Sequence, residues 1–350
     1  MKIAIFTQNL DVGGVQKSVA NLAVFLSKYH EVHIILAEDN KPVKYRLNGR
    51  IKIHKIKTKR IDITEKNAGM KIFKYRIKEL EKILKKISPR VVISFEDYNN
   101  FILMHTKIRA KKIYSVRVSH KMYEKGKVHL LSEEFYKEMR KKYKKNIIAV
   151  NDMIKKTLSH AKVKVIYNGI ERKKHLPQKY ENYILNVGRL HSQKGQEDLI
   201  KAYALISNEI TEDLIIVGEG VLREKLENLI ETLKLRNRVK ITGFDNPYKY
   251  YKNASLFVFP SYYEGFPNTL LEAIKAGCAV IGYNFEGSEI LLDKVEVGDY
   301  KKLAKMMKEY LQNRHKLKSN ILKHQKMIKN YSLSKTLREY KRFIEKCAVY

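Results

Sequence analysis

Two glutamates, Glu264 and Glu272, stand in the stretch from Phe257 to Tyr283, FVFPSYYEGFPNTLLEAIKAGCAVIGY. The apolar run to Pro260 predicts a buried strand, and Asn268 to Ala276 predicts a helix that Gly277 stops before another apolar strand. Glu264 then falls in the polar loop before the helix, and Glu272 about one turn inside it. Between them the backbone of Gly265, Phe266, Pro267, Asn268, Thr269 and Leu270 leads into the helix N-terminus. Unpaired N–H groups and the positive end of the helix dipole attract phosphate there. Carboxylates beside an anion site make chemical sense if they bind hydroxyls, Glu272 a ribose diol and Glu264 a sugar hydroxyl. Phosphate on amides with hydroxyls on flanking carboxylates describes a nucleotide sugar.

A second cluster reads G-R-L-x-x-x-K-G, from Gly188 through Arg189 and Lys194, directly after the strand YILNVG and before a helix. Two cations in that turn can reach a diphosphate and stabilise it as a leaving group. No acidic D-x-D pair stands at a strand end, so no divalent ion is expected to be required. Arg189, Lys194 and the helix N-terminus would take the metal's part. Near the start, Gly13 and Gly14 make a turn after the strand KIAIFTQNL; this is not the G-x-G-x-x-G dinucleotide fingerprint. Polar residues at the carboxyl ends of parallel strands line the crevice where such sheets bind ligands. That places Glu96, Asp97, Asn100, Arg117 and His120 as candidates for holding an acceptor.

The string S-x-x-E-G-F-P-N-T-L-L-E-A-x-x-A-G resembles the E-x7-E signature of retaining glycosyltransferases of the GT-B fold, family 4 in particular. The likeness is strong over residues 180–280 and loose over 1–290. It implies two Rossmann-like α/β domains with parallel sheets facing across a central cleft. It assigns Arg189 and Lys194 to the donor diphosphate, Glu264 to the transferring sugar, and Gly14 to the donor phosphates. The loop from Gly243 to Asn246, with Gly243 and Phe244, would hold the base. A catalytic His or Arg follows the strand KIYSVRVSH in such enzymes; Arg117 and His120 both fit. The resemblance implies front-side attack, with the departing phosphate helping to deprotonate a hydroxyl acceptor. The family pattern continues to FEGSEILL, where Glu289 opens a short helix. Beyond it the usual glycine-rich strand is replaced by DKVEVGD, which leaves the last strand in question.

The chain as a whole suits this organisation. Its 350 residues allow two domains, each large enough for its own core. The expected boundaries are 1–172 for an acceptor domain and 173–332 for a nucleotide-sugar domain, joined at IYNGIERKKHLPQ. A terminal helix over 333–350 would cross back onto the first domain. No apolar run is long enough to span a bilayer, MKIAIFTQNL reads as a first strand, and Cys278 and Cys347 provide no disulfide framework. Those features predict a cytoplasmic protein.

The net charge is +34, and residues 1–170 carry 39 Lys and Arg against 15 Asp and Glu. A field of that size attracts anionic partners. A basic amphipathic helix is predicted from Lys71 to Ile87, with Ile72, Phe73, Ile77, Leu80, Ile83, Leu84 and Ile87 as its apolar stripe. Lys71, Lys74, Arg76, Lys78, Lys82, Lys85 and Lys86 cover the rest, a surface suited to anionic lipid headgroups. A second basic helix is predicted over Met122 to Lys145. A nucleic-acid partner is not expected, because no recognition module is present. The expected partners are a UDP-sugar donor, a lipid-linked glycan acceptor and the inner face of the membrane. A nucleotide-sugar epimerase and a non-catalytic sugar-nucleotide sensor are the rival readings.

Overall fold

The computed structural model describes residues 1–11, 13–58, 67–118, 131–171 and 181–349. The chain divides into two compact units, Met1–Gly169 with Leu333–Tyr350, and Ile170–Ser332. In the first unit the strands are β1 (Lys2–Thr7), β2 (Glu31–Leu36), β3 (Lys52–Lys55), β4 (Val91–Phe95), β5 (Lys111–Val116), β6 (Ile147–Ala149) and β7 (Val163–Val165). They form one parallel sheet in the order β3-β2-β1-β4-β5-β6-β7. Its central strands are buried along nearly their whole length, as a parallel sheet covered by helices on both faces requires. The order reverses between β1 and β4, so their carboxyl ends open the crevice where ligands bind such sheets.

The second unit repeats the plan with β8 (Glu181–Val187), β9 (Asp213–Val217), β10 (Val239–Gly243), β11 (Ala254–Phe259), β12 (Val280–Tyr283) and β13 (Lys294–Val295). The order is β10-β9-β8-β11-β12-β13, and the switch point lies between β8 and β11. The turn after β8 carries Gly188 to Lys194, and the loop after β11 carries Ser261 to Glu264. Neighbouring strands therefore deliver both clusters to one end of one sheet. Apolar cores cover both faces of this sheet, with Leu199, Tyr203 and Leu303 in one and Leu270, Ile274 and Cys278 in the other. Complete burial pushes the Cys278 thiol up to about 12, so it stays an uncharged core group.

Several local expectations need correction. The basic helix begins at Ala68 and ends at Ile87; Phe73, Leu80, Leu84 and Ile87 are buried, while Ile72, Ile77 and Ile83 are only half-covered. Arg76 does not join the exposed basic face. It is 8% exposed, with its guanidinium 5.4 Å from the ring centre of Tyr98, an arrangement that suits a planar, weakly hydrated cation. In place of a helix over Met122 to Lys145, the described helix runs Glu133–Lys141, capped by the Ser132 hydroxyl, which accepts from the Phe135 amide at 3.2 Å. Residues 122–130 lie outside the described residues. Glu289 stands in a turn, not a helix. The strand in question after DKVEVGD's start exists as the two-residue β13, paired with β12 through Gly282 and Tyr283. The helix Leu333–Val349 packs Leu337, Tyr340, Ile344 and Ala348 into the core of the first unit.

Candidate active site

The two second-unit clusters meet. Lys194 closes a short 3-10 turn, Ser192–Lys194, and its Nζ lies 2.5 Å from Glu264 Oε1. The same oxygen accepts from Ser261 Oγ at 2.8 Å. Gln193 ties the two loops together. Its carbonyl accepts from the Tyr262 amide at 2.9 Å, and its Nε2 donates to the Tyr263 carbonyl at 2.7 Å and to Glu264 Oε2 at 3.4 Å. Gly195 makes the approach possible. Its φ is +63°, and a Cβ there would sit 2.1 Å from the Pro260 carbonyl oxygen, so only glycine lets the turn close on the end of β11.

Glu264 is 7% exposed yet not saturated. A carboxylate offers about four lone-pair sites, which leaves room for a hydroxyl. The Lys194 ammonium carries three protons, and one is directed at Glu264. Arg189 is exposed, with no side-chain partner among the described residues, while Gln196 Nε2 anchors its carbonyl at 3.0 Å.

The helix Asn268–Ala276 starts after Pro267 without any side-chain cap; its Asn268 amide donates to the Phe266 carbonyl at 3.0 Å, and the positive end of the helix dipole favours an anion there. Inside it, Glu272 is 8% exposed and accepts from Tyr248 OH at 3.3 Å and Tyr251 OH at 3.4 Å. Full burial, then the Glu272 charge, raise the Tyr251 phenol well above its usual range, so it stays protonated. Beside it, β10 ends at Gly243 (φ +79°), and Phe244 after it is 67% exposed with Tyr248 44% exposed. The Tyr248 ring lies against the Glu272 carboxylate, and an exposed aromatic face is one on which a planar base can stack.

Asp198 carries no signal that sequence reasoning could use. It lies on the helix Gln196–Ile206, 8% exposed, and its Oδ2 accepts from Tyr262 OH at 2.7 Å and Tyr283 OH at 2.8 Å. The two rings stack with centres 6.0 Å apart. Burial, with the Asp198 charge, raises both phenols. Tyr262 belongs to the loop that carries Glu264, so Asp198 fixes that loop from behind. Asp198→Ala is expected to strand two hydroxyls, costing about 1–3 kcal/mol for each left unsatisfied, and to lower turnover. Asp198→Asn keeps an oxygen acceptor and should recover most of both. Thermal unfolding and kcat measured on the pair check this; equal loss in the two variants would show that the charge, not the acceptor, matters.

In the first unit, Gly14 opens the helix Gly14–Leu26, and Tyr45 OH clamps the turn, donating to the Gly13 carbonyl at 2.8 Å and lying 3.0 Å from the Gly13 amide. The acceptor candidates separate. Asp97, 1% exposed, is held by Arg140 Nε at 2.8 Å, Arg140 Nη2 at 2.6 Å and Tyr143 OH at 2.9 Å. Asn100 is fully buried, accepting from Ser94 Oγ at 2.6 Å and donating to the Ser115 carbonyl at 3.1 Å. Both are interior struts, a correction to their reading as ligand groups. Arg117 is 4% exposed, donating to Asn168 Oδ1 at 2.6 Å and Tyr340 OH at 3.0 Å, and it too braces the fold. Glu96 remains half-exposed with φ +73° and ψ 144°, a strained conformation for a residue with a side chain. Such strain collects at functional sites. His120 lies outside the described residues.

Each unit is a parallel sheet with a ligand crevice at a switch point, and the second brings a carboxylate, a cation and a helix N-terminus to that edge, an architecture suited to binding a phosphorylated ligand. Residues 168–332 match the model for glycosyl transferases group 1, and residues 12–174 match that for glycosyltransferase family 4. A Campylobacter jejuni N-acetylgalactosamine-N,N'-diacetylbacillosaminyl-diphospho-undecaprenol 4-alpha-N-acetylgalactosaminyltransferase is 30% identical over 80% of this chain and 80% of its own. A second C. jejuni enzyme, a GalNAc-alpha-(1->4)-GalNAc-alpha-(1->3)-diNAcBac-PP-undecaprenol alpha-1,4-N-acetyl-D-galactosaminyltransferase, is 25% identical over 98% of each chain. Among solved structures, sucrose-phosphate synthase from Thermosynechococcus elongatus superimposes with a TM-score of 0.86 at 15% identity, over 99% of this chain and 98% of that one. The chain belongs to the family 4 glycosyltransferases and has their GT-B fold. It is a glycosyltransferase.

Proposed function

We propose that this enzyme moves a sugar from a UDP-sugar to a hydroxyl of a lipid-linked glycan, with retention at the anomeric carbon. The observation that carries the reading is the pairing of Lys194 with Glu264 beside an uncapped helix N-terminus that also holds Glu272. Glu272 takes the ribose hydroxyls, and the exposed rings of Phe244 and Tyr248 take the base. Lys194, Arg189 and the first-turn amides hold the diphosphate and its growing charge, while Glu264 orients the sugar. The names of the two C. jejuni relatives, both undecaprenol-diphosphate glycan transferases, support a lipid-linked acceptor. The direct test supplies a panel of UDP-hexoses and UDP-N-acetylhexosamines with a polyprenyl-diphosphate glycan. Mass spectrometry reads the product, and NMR its anomeric configuration. An inverted linkage overturns retention, and sugar conversion without any acceptor would favour an epimerase.

In this reading the fixed cations do the work of a metal. Activity is expected to survive excess EDTA, because Lys194 and Arg189 provide the positive charge at the leaving group. Loss of activity restored by magnesium or manganese would refute it.

The enzyme would work at the inner face of the membrane. Among the described residues no helix is long and apolar enough to span a bilayer. The helix Ala68–Ile87 instead exposes Lys71, Lys74, Lys78, Lys82, Lys85 and Lys86, and each cation near anionic lipid contributes about 1 kcal/mol. Sedimentation with liposomes should rise with anionic lipid, fall with salt, and weaken when Lys74, Lys78, Lys82 and Lys85 become Glu. Protein that stays in the supernatant throughout sinks this localisation.

A further inference from the structure

At the amino-terminal ends of β4 and β5, the edge of the first sheet opposite its ligand crevice, lies an open pocket of about 590 Å³. Five cations line it, Lys85, Arg90, Lys107, Arg109 and Lys111, together with apolar groups that include Leu84, Ile108 and Ala348. Among the described residues no carboxylate lines it. The nearby Glu81 accepts from the Lys107 backbone amide.

The plain explanation is that cations gather where helices end, because helix C-termini are negative. Magnitudes argue against it. The helices Ala68–Ile87, Asp97–His105 and Leu333–Val349 end at this edge. Each supplies about −0.5 charge, so together they offset less than a third of the five cations. Much of that compensation is also done by other groups. Lys2 Nζ reaches the Ile87 carbonyl at 3.4 Å, and Lys112 Nζ the Thr106 carbonyl at 2.5 Å. Arg90 donates from Nε to the Ala348 carbonyl at 2.9 Å. Lys85, Lys107 and Arg109 have no ion pair among the described residues, and all three are exposed.

We propose that this pocket binds a phosphate ester with an apolar body, the phosphate on Lys107, Arg109 and Lys85 and the body against Leu84, Ile108 and Ala348. Because the pocket opens at the far edge of the sheet, its ligand is not consumed in transfer; it anchors or regulates the enzyme. The chemistry fits the headgroup of an anionic phospholipid or a soluble phosphorylated metabolite. The inference stands apart from the catalytic reading, since its test needs no activity.

Calorimetric titration with monomeric dihexanoyl phosphatidate, glycerol 3-phosphate and inorganic phosphate tests it, on the wild-type protein and two double variants. In Lys107→Glu/Arg109→Glu, binding should weaken by about tenfold or more, because charge-assisted contacts to phosphate are replaced by repulsion. In Lys74→Glu/Lys78→Glu, which removes the same charge on the same unit away from the pocket, binding should be unchanged. Melting temperature and basal transfer should not move in the pocket variant, which confirms that it folds. Binding confined to the phosphatidate, with phosphatidate vesicles recruiting wild type more than the pocket variant, identifies a lipid headgroup. Equal binding of glycerol 3-phosphate identifies a soluble ester. Absence of saturable binding by all three probes, or equal weakening in both variants, overturns the pocket and leaves only diffuse charge.

Discussion

Lys194→Ala is expected to lower kcat by about 10²–10³-fold, the usual cost of removing one preorganised charge from a transition state. The expected effect on substrate affinity is much smaller. Charge on the leaving diphosphate grows as the glycosidic bond breaks, so a cation there stabilises the transition state more than the ground state. The geometry adds a second consequence. Glu264 is 7% exposed and Lys194 Nζ is its cation at 2.5 Å. Without that cation a nearly buried carboxylate keeps only Ser261 and the long contact from Gln193. A buried carboxylate that has lost its charged partner is costly, and the loop it orders is less firmly held. The variant should therefore melt earlier, and steady-state kinetics with thermal unfolding check both effects. A Lys194→Ala enzyme with unchanged kcat and raised KM would show that Lys194 only binds. Glu264→Gln separates the partners: it keeps the shape of the cluster but loses the charge, and should lower kcat more than donor affinity.

Glu272→Ala is expected to weaken nucleotide binding by about 1.5–3 kcal/mol, the range for a hydrogen bond to a charged group, or roughly ten- to more than a hundredfold in Kd. Glu272 sits 8% exposed between Tyr248 and Tyr251, so its carboxylate is oriented before any ligand arrives and loses little entropy on binding. Removing it also strands the fully buried Tyr251 hydroxyl, and the alanine variant should be less stable. Glu272→Gln keeps an acceptor for the tyrosines and isolates the charge. Calorimetry with UDP on a folded variant decides. Unchanged affinity would remove Glu272 from the nucleotide site.

The legibility of this site follows from where its information lies. The strand, loop and helix around Glu264 and Glu272 were readable because each rests on local chemistry. A continuous apolar run, a proline at its end, helix formers, and Gly277 with φ +89° as the stop each act within a few residues. The turn carrying Lys194 was readable for the same reason. Alternating strands and helices imply a parallel sheet, and a parallel sheet puts its βα turns at the ligand-binding edge. Once β8 and β11 are neighbours, Lys194 and Glu264 have nowhere else to go.

Other features depend on partners distant in the chain, and local pattern does not encode them. Asp97 follows a strand as a ligand group would, but Arg140 and Tyr143, from a helix and turn far along the chain, reach it first and make it structural. Arg76 reads as one more surface cation until Tyr98 supplies a ring beneath it. Asp198 has the address of an ordinary first-turn acid that favours a helix N-terminus; only packing brings Tyr262 and Tyr283 onto one of its oxygens. The amino-acid sequence by itself thus determined the strand and helix order, the family, and the strand, loop and helix that carry Glu264 and Glu272, because these follow from short-range periodicity and turn chemistry. Which polar side chains face inward, and which of them lock the loop that carries Glu264, was decided by tertiary structure alone, because a buried polar group must find its partner across space.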